Sequence, residues 1–198
     1  MSRVAGTKLL LWAILASPAA VILQRYWASP DLWPGDMLEP TGEWSARFII
    51  VALALTPLAQ LFPRNDAVRW LIRHRRAFGV AAFAYTLLHV AFYVADMETL
   101  ANMIAEIGAP AIWTGWLALL CLLPPALASN DYAMRALGRA WKRVQRLAYP
   151  AAVLTLVHWL LVHDGRAAAI AHFAPLALLQ SIRLARLLKL TPQERTIA

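Results

Sequence analysis

The sequence predicts an all-α membrane protein, a bundle of six transmembrane helices that forms one domain over residues 1–198. Hydrophobic residues make up 61% of the chain, and the mean hydropathy is +0.54. Soluble domains are nearer to about 45–50% apolar. The apolar residues are collected in separate blocks of roughly 16–20 residues, about the length that a helix needs to cross a bilayer. Basic and acidic segments alternate between these blocks.

The first block resembles a secretory signal peptide, because a basic start precedes an apolar run and small residues. We expect it to be retained as a span, since the run is long for a signal peptide and its removal would disturb the alternation of charged loops. Pro18 is tolerable there because neighbouring helices can satisfy the freed carbonyl. We predict spans at about 9–24, 47–62, 77–95, 110–128, 147–163 and 167–188.

The segments between the spans are assigned from their composition. Residues 25–46 are rich in proline, tryptophan and acidic residues and predict an outer loop. Its tryptophans are expected at the membrane interface; they are Trp27, Trp33 and Trp44. Pro63 begins a basic inner loop, and Pro124 and Pro125 close the fourth span.

The charges predict the topology. Five cations lie in residues 64–76 and five in residues 135–146, whereas residues 31–43 carry four acidic residues and residues 96–106 carry three. By the positive-inside rule, the basic loops and both termini face the cytoplasm. The net charge of +8 is therefore explained by topology, and nucleic-acid binding is not expected. The basic inner loops can attract anionic lipid head groups, an anionic flavin or a flavoprotein.

The common enzymatic motifs are absent from the sequence. It contains no Walker loop, GxGxxG, HExxH or GxSxG, so nucleotide hydrolysis and the commoner hydrolase chemistries are not expected. Cys121 is the single cysteine, which excludes an intrachain disulfide and the CxxCH motif of covalent haem attachment. Any haem would be bound non-covalently.

Two histidines occur in matching contexts. His89 follows Arg76 by thirteen residues and His158 follows Arg146 by twelve, and an apolar run separates each pair. At about 1.5 Å of rise per residue, both imidazoles lie about 18–20 Å from a basic helix end. Both histidines also end the pattern A-x3-T-x2-H, whose residues share one helical face. An ionisable residue in an apolar span is a candidate functional residue, and helix packing is the alternative interpretation.

The number of ligands favours haem iron over zinc. Two neutral imidazoles from facing helices suit the axial positions of a haem, whereas zinc would require two further ligands and no acidic residue lies at that depth. Iron with both axial positions filled has no open site for substrate, so electron transfer is the expected task. His74 lies in the basic cluster and is a candidate ligand of a second, inner haem or a solvated side chain. His163 and His172 are interpreted as interfacial, with His163 as an alternative ligand.

Three segments resemble the MsrQ (YedZ) family, within the ferric-reductase-like transmembrane group. They are RRAFGVAAFAYTLLHVAFY, WKRVQRLAYPAAVLTLVHWL and TGEWSARFIIVALALTPLA, and the resemblance covers roughly residues 10–190. It implies that His89 and His158 are the axial ligands of a haem b. Members carry a further histidine thirteen residues before the second ligand, where this chain has Gln145. One haem is therefore expected, and a second is in doubt.

The resemblance also implies a function. A member of this family is a b-haem subunit of the bacterial inner membrane, without a substrate-reducing site of its own. It takes electrons from the quinone pool or a cytoplasmic flavin reductase and passes them to MsrP, a periplasmic molybdopterin enzyme that reduces methionine sulfoxide in oxidised proteins. FMN is also associated with the family, although no motif for it is visible here. The alternatives are a stand-alone ferric or quinone reductase and a non-redox membrane protein with packing histidines.

Overall fold

The computed structural model describes residues 3–162 and 165–189, and within these ranges all regular structure is helical. The helices are α1 (Arg3–Ala28), a 3₁₀ helix (Pro34–Met37), α2 (Leu38–Leu61), α3 (Asp66–Arg73), α4 (Arg75–Met97), α5 (Leu100–Glu106), α6 (Pro110–Leu127), α7 (Asp131–Leu137), α8 (Ala140–Gln145), α9 (Ala148–Val162) and α10 (Arg166–Lys189). The all-α class is thus confirmed.

Five helical segments within the described ranges are long and apolar enough to cross a membrane: Gly6–Ala28, Pro34–Leu61, Arg75–Met97, Pro110–Leu127 and Arg166–Leu188. They correspond to the first, second, third, fourth and sixth spans of the sequence prediction. The predicted fifth span corresponds to α9. This helix has 15 residues up to Val162, where the described range ends, and is shorter than the other five segments.

Two helix pairs form the centre of the protein, because α2 packs most extensively on α4 and α6 packs most extensively on α9. Small residues such as Ala46, Ala82 and Ala151 are buried in the core. Because the side chain at each of these positions is a single methyl group, the helix backbones can approach closely, as is common in membrane bundles. Helix α10 packs against α2 and α9, and α1 packs against α4 and α2.

The second span begins earlier than the sequence predicts. Residues 38–46, assigned to the outer loop, form the first turns of α2. Pro40 suggested a loop, but proline is acceptable in the first turn of a helix because the N–H groups there have no intrahelical partner. Trp44, predicted to lie at the membrane interface, packs against Phe48 and Tyr85 within the bundle. The fourth helix, α6, ends at Leu127, within one residue of the predicted end of the span, and contains Pro124 and Pro125 in its last turns.

Two prolines inside spans leave carbonyls that other side chains satisfy. Pro18 cannot donate to the carbonyl of Ile14, and Ser17 donates to it instead at 2.9 Å. Pro57 likewise frees the carbonyl of Leu53, which accepts a hydrogen bond from Gln180 on α10 at 3.1 Å. In an apolar environment an unsatisfied backbone group costs several kcal/mol, so such replacements make prolines acceptable within the spans.

The hydroxyl of Tyr85 connects α4 to α1 next to Pro18. It donates to the carbonyl of Leu15 at 3.0 Å and accepts from the N–H of Ala19 at 2.7 Å. These two backbone groups are four residues apart and would bond to each other in an uninterrupted helix. Tyr85 is 3% exposed, so water cannot readily replace its hydroxyl.

We therefore expect Tyr85→Phe to lower the free energy of unfolding by about 1–2 kcal/mol, because it removes both hydrogen bonds that the Tyr85 hydroxyl makes to α1. Thermal denaturation of the purified protein in one detergent would measure this change. Tyr132→Phe is the matched control, since Tyr132 is 77% exposed and should be neutral. Equal thermal stability of Tyr85→Phe and the wild type would contradict the bridging role.

The predicted basic inner loops contain short helices. Asn65 caps α3 by accepting from the N–H of Val68, and Asn130 caps α7 by accepting from the N–H of Ala133. Arg76, at the start of α4, donates to Asp131 on α7 at 2.6 Å. The same guanidinium lowers the pKa of the Asp131 carboxyl below its ordinary value, by hydrogen bonding first and by charge second.

Candidate functional site

The structure brings together the two histidines that the sequence singled out. His89 lies on α4 and His158 on α9, and their ring centroids are 6.1 Å apart with the ring planes at 87°. Two imidazoles on opposite sides of one metal ion have centroids roughly 6 Å apart, because each metal–nitrogen bond is about 2 Å and each ring adds about 1 Å. The separation of the rings therefore suits one metal between them.

Backbone carbonyls fix the tautomer of both rings. The Nδ1 atom of His89 lies 2.9 Å from the carbonyl oxygen of Leu38, and that of His158 lies 2.6 Å from the carbonyl oxygen of Ala111. A carbonyl can only accept, so Nδ1 must carry the proton in each ring. The lone pair of each neutral imidazole is then on Nε2, the nitrogen that can bind a metal.

The A-x3-T-x2-H pattern has a structural counterpart. Thr86 donates to the carbonyl of Ala82 at 2.9 Å, and Thr155 donates to the carbonyl of Ala151 at 2.8 Å. The two threonine side chains and both histidines line one cavity. The Thr86 hydroxyl also lies 2.7 Å from the Ser45 hydroxyl of α2. Both threonines therefore line the cavity with hydroxyls that already have hydrogen-bond partners in the protein.

The cavity lies between the two central helix pairs. Its empty space is about 910 Å³, including the part open to the surroundings. Most of its wall is apolar or small; the small residues are Gly42, Ser45, Ala46, Gly115 and Ala118. Such a wall leaves room for a flat macrocycle around a metal held by the two rings.

Two further observations fit a haem. Within the described ranges, no group of three or more His, Cys, Asp or Glu side chains is placed to hold a metal ion, and the two imidazoles are the number of protein ligands that a haem iron takes. The buried hydroxyl of Tyr93 also lines this cavity, and among the described residues it has no hydrogen-bond partner. It can donate to a polar substituent of a bound group, such as a haem propionate.

The other histidines lie elsewhere. His74 directs Nδ1 to the carbonyl of Trp70 at 2.8 Å and lies against the Trp70 ring, with centroids 4.3 Å apart. His172, interpreted from the sequence as interfacial, packs against Trp159 and accepts a hydrogen bond from Arg47. His163, the alternative ligand, lies outside the described residues. Neither His74 nor His172 lines the cavity of His89 and His158.

A second cavity lies towards the predicted cytoplasmic side, with about 710 Å³ of empty space. Its polar lining residues are Arg75, Arg76, Ser129, Trp141 and Gln145, and no histidine lines it. Gln145 donates to the carbonyl of Pro125 at 3.0 Å. The residues present therefore do not offer this cavity the imidazole pair that a second haem would need. Leu122 lines both cavities and separates them.

An ion-pair network borders the first cavity. Glu43 lines the cavity and pairs with Arg47 one turn along α2. Arg47 also lies over the Trp44 ring and donates from Nε to His172 on α10 at 3.3 Å. Since Nδ1 of His172 faces the carbonyl of Ala168, this ring is held as the neutral tautomer with Nε2 as acceptor. Sequence reasoning missed this network, although Glu43 and Arg47 have the i,i+4 spacing of a helical ion pair.

Comparison with known proteins defines the class first. The family described as "Ferric reductase like transmembrane component" matches residues 41–156, from Thr41 on α2 into α9. The helical bundle with its facing histidines is thus a ferric-reductase-like transmembrane protein.

Curated relatives then identify the family. The chain is 34% identical over 185 residues to "Protein-methionine-sulfoxide reductase heme-binding subunit MsrQ" of Xanthomonas euvesicatoria, covering 85% of this chain and 82% of the relative. It is 36% identical to the MsrQ of Xanthomonas oryzae over 82% of this chain and 79% of the relative. It is 38% identical to the MsrQ of Brucella ovis, over 73% of this chain and 66% of the relative. The chain belongs to the MsrQ family. No solved structure matches it.

Proposed function

We propose that this chain is the b-haem electron-transfer subunit of a protein-methionine-sulfoxide reductase in the bacterial inner membrane. The observation that carries the proposal is the pair of facing imidazoles, 6.1 Å apart and both held with Nδ1 towards a carbonyl. The names of the relatives describe a haem-binding subunit of such a reductase. We further propose six spans, with α9 as the fifth, and cytoplasmic termini, in agreement with the alternation of basic and acidic segments.

Each part of the site has a defined role in this proposal. A bound haem supplies a one-electron carrier. His89 and His158 hold its iron through Nε2, and the carbonyls of Leu38 and Ala111 fix the two rings and increase their basicity. The apolar wall limits water around the carrier, which favours transfer of an electron without chemistry at the iron. Because His89 and His158 would both bind the iron, a haem held here would have no open position for a substrate, and the subunit would carry electrons without a substrate-reducing site of its own.

We propose that electrons reach the haem from the inner cavity. Its two guanidinium groups, on Arg75 and Arg76, and the Trp141 ring suit an anionic or planar electron carrier. A quinone or an FMN reduced by a cytoplasmic flavin reductase has this chemistry. The electron would pass Leu122, which borders both cavities, and leave on the opposite side to a periplasmic molybdopterin enzyme of the MsrP type.

We also propose that the chain binds one haem. A second haem in the inner cavity would need two axial ligands, but Gln145 occupies the position implied for one of them and is bonded to Pro125. His74 is turned towards Trp70 and does not line that cavity.

The reduced-minus-oxidised absorption spectrum, together with the ratio of haem to protein, tests this proposal. We expect a b-type spectrum from protein expressed with ample haem, a ratio near one, and no change of either in His74→Ala. Colourless wild-type protein would mean that the histidines only pack. A ratio near two that falls in His74→Ala would contradict the single site.

Reoxidation of the reduced protein distinguishes the proposed role from a stand-alone reductase. Reoxidation that requires both an MsrP-type enzyme and methionine sulfoxide supports the subunit. Equally fast reoxidation by a ferric chelate alone would favour the stand-alone ferric reductase.

A further inference from the structure

Each histidine of the pair packs against a glycine of its neighbouring helix. A Cβ atom on Gly42 of α2 would lie 3.2 Å from Nδ1 and 3.3 Å from Cε1 of His89. A Cβ atom on Gly115 of α6 would lie only 2.9 Å from both Nδ1 and Cε1 of His158. Real Cβ atoms essentially never come within 3.0 Å of such atoms, so the His158 ring would have to move.

The same arrangement occurs twice in the chain. The carbonyl that accepts from the ring belongs to the residue four positions before the glycine, Leu38 before Gly42 and Ala111 before Gly115. Residues four apart lie on one helical face, so the hydrogen bond and the glycine contact act on the same ring from adjacent turns. A threonine precedes each glycine, and each donates to a carbonyl of its own helix, Thr41 to Leu38 and Thr114 to Ala111.

These two contacts restrict the rotation of each imidazole. The carbonyl fixes the direction of Nδ1–H, and the glycine surface leaves space for the flat ring in one orientation. The outcome is that the two ring planes cross at 87°.

We propose that Gly42 and Gly115 are positioning residues that hold the two axial imidazoles crosswise at the iron. This inference rests on the proposed haem site. Gly115 exerts the stronger control, because its contact with the ring is closer and the hydrogen bond of His158 is shorter than that of His89. Neither glycine touches the iron; each acts through the ring that it contacts.

The crossing angle has a spectroscopic consequence. When axial imidazole planes are perpendicular, the two iron orbitals that interact with the rings have almost equal energy, and low-spin ferric haem gives an electron paramagnetic resonance signal with a large maximum g value. Parallel planes separate these orbitals and lower that value. Because 87° is close to the greatest possible crossing angle, almost any rotation of one ring decreases it.

The test compares the ferric resonance spectra of Gly115→Ala, Gly42→Ala and Gly79→Ala with that of the wild type. We expect the maximum g value to fall most in Gly115→Ala, less in Gly42→Ala and not at all in Gly79→Ala. Gly79 is the matched control, since it lies on α4 and a Cβ there would meet nothing within 4 Å. Alanine favours helix over glycine, so the changes should not weaken the helices themselves.

The outcomes separate the two proposals. A wild-type protein without a Soret band overturns the haem site itself. A Gly115→Ala protein with full haem and an unchanged maximum g value overturns the positioning role while leaving the haem site intact. Because Gly115 also lines the cavity, loss of haem from Gly115→Ala does not separate ring positioning from lost space, and Gly42→Ala then decides. If Gly115→Ala does not fold, Gly42→Ala decides, and an unchanged spectrum in that variant overturns the proposal.

Discussion

Replacing either His89 or His158 by alanine is expected to reduce bound haem by an order of magnitude or more. Even outer groups that only orient a metal ligand typically contribute 10–100-fold to affinity, and here the ligand itself is removed. The two rings face each other across one cavity, so neither variant retains an imidazole on both sides. The amplitude of the reduced-minus-oxidised spectrum per mole of protein measures the loss.

The controls for this experiment are the other described histidines. His74 is bonded to Trp70, and His172 lies between Arg47 and Trp159, so His74→Ala and His172→Ala should retain the haem. An unchanged spectrum in both His89→Ala and His158→Ala would show that the ligand pair is wrong. Loss of the spectrum in only one variant, with full retention in the other, would contradict a clamp between two helices.

The sequence was sufficient for features that are local along the chain. Apolar blocks predicted helices that cross a membrane, and α6 (Pro110–Leu127) and α10 (Arg166–Lys189) match their predicted spans closely. The equal spacing of His89 and His158 from basic clusters predicted two rings at one depth, and the structure places them 6.1 Å apart. Depth along a helix follows from the number of residues and the fixed rise per residue, so it can be predicted from the sequence alone.

Contacts between helices could not be predicted from the spacing of residues along the chain. Gly42 and Gly115 each follow a threonine in the sequence, but this dipeptide does not indicate a contact with a histidine of another helix. The start of α2 was also missed, because proline, tryptophan and acidic residues suggest a loop by composition. Trp44 instead packs on Phe48 and Tyr85, a partner that lies 41 positions away along the chain. Tertiary packing decided these points, and a single sequence does not reveal it.

The residue at position 145 changes which cofactor the second cavity is expected to bind. Gln145 lies where the family resemblance implies a histidine, and its amide is engaged by Pro125 rather than directed to a partner imidazole. The cavity nevertheless persists, with Arg75, Arg76 and Trp141 in its lining. A cationic, aromatic cavity without histidine suits a quinone or flavin carrier better than iron, which is why we propose electron uptake there.

Changing the charges of the Glu43–Arg47 pair is expected to shift the haem midpoint potential in opposite directions. Reduction adds one negative charge to the haem. Glu43→Gln leaves the positive Arg47 without its partner and should raise the potential, whereas Arg47→Gln leaves the negative Glu43 on the cavity wall and should lower it. A unit charge taken about 10 Å from the iron at an effective dielectric of about 20 contributes about 1.7 kcal/mol. For one electron this corresponds to roughly 70 mV, and solvent screening reduces it to tens of millivolts.

These shifts are measured by potentiometric titration of the wild type, the two single variants and the double variant. The double variant Glu43→Gln with Arg47→Gln removes both charges and should return close to the wild-type potential, because the two Coulomb contributions oppose each other. Arg69→Gln removes one partner of the Arg69–Asp66 pair on α3, which is exposed and lines neither cavity, and should change nothing. Shifts of the same sign in both single variants would mean that structural disturbance, rather than charge, controls the potential. Opposite shifts that cancel in the double variant would show that this intramembrane pair sets the potential of the haem by its balance of charge.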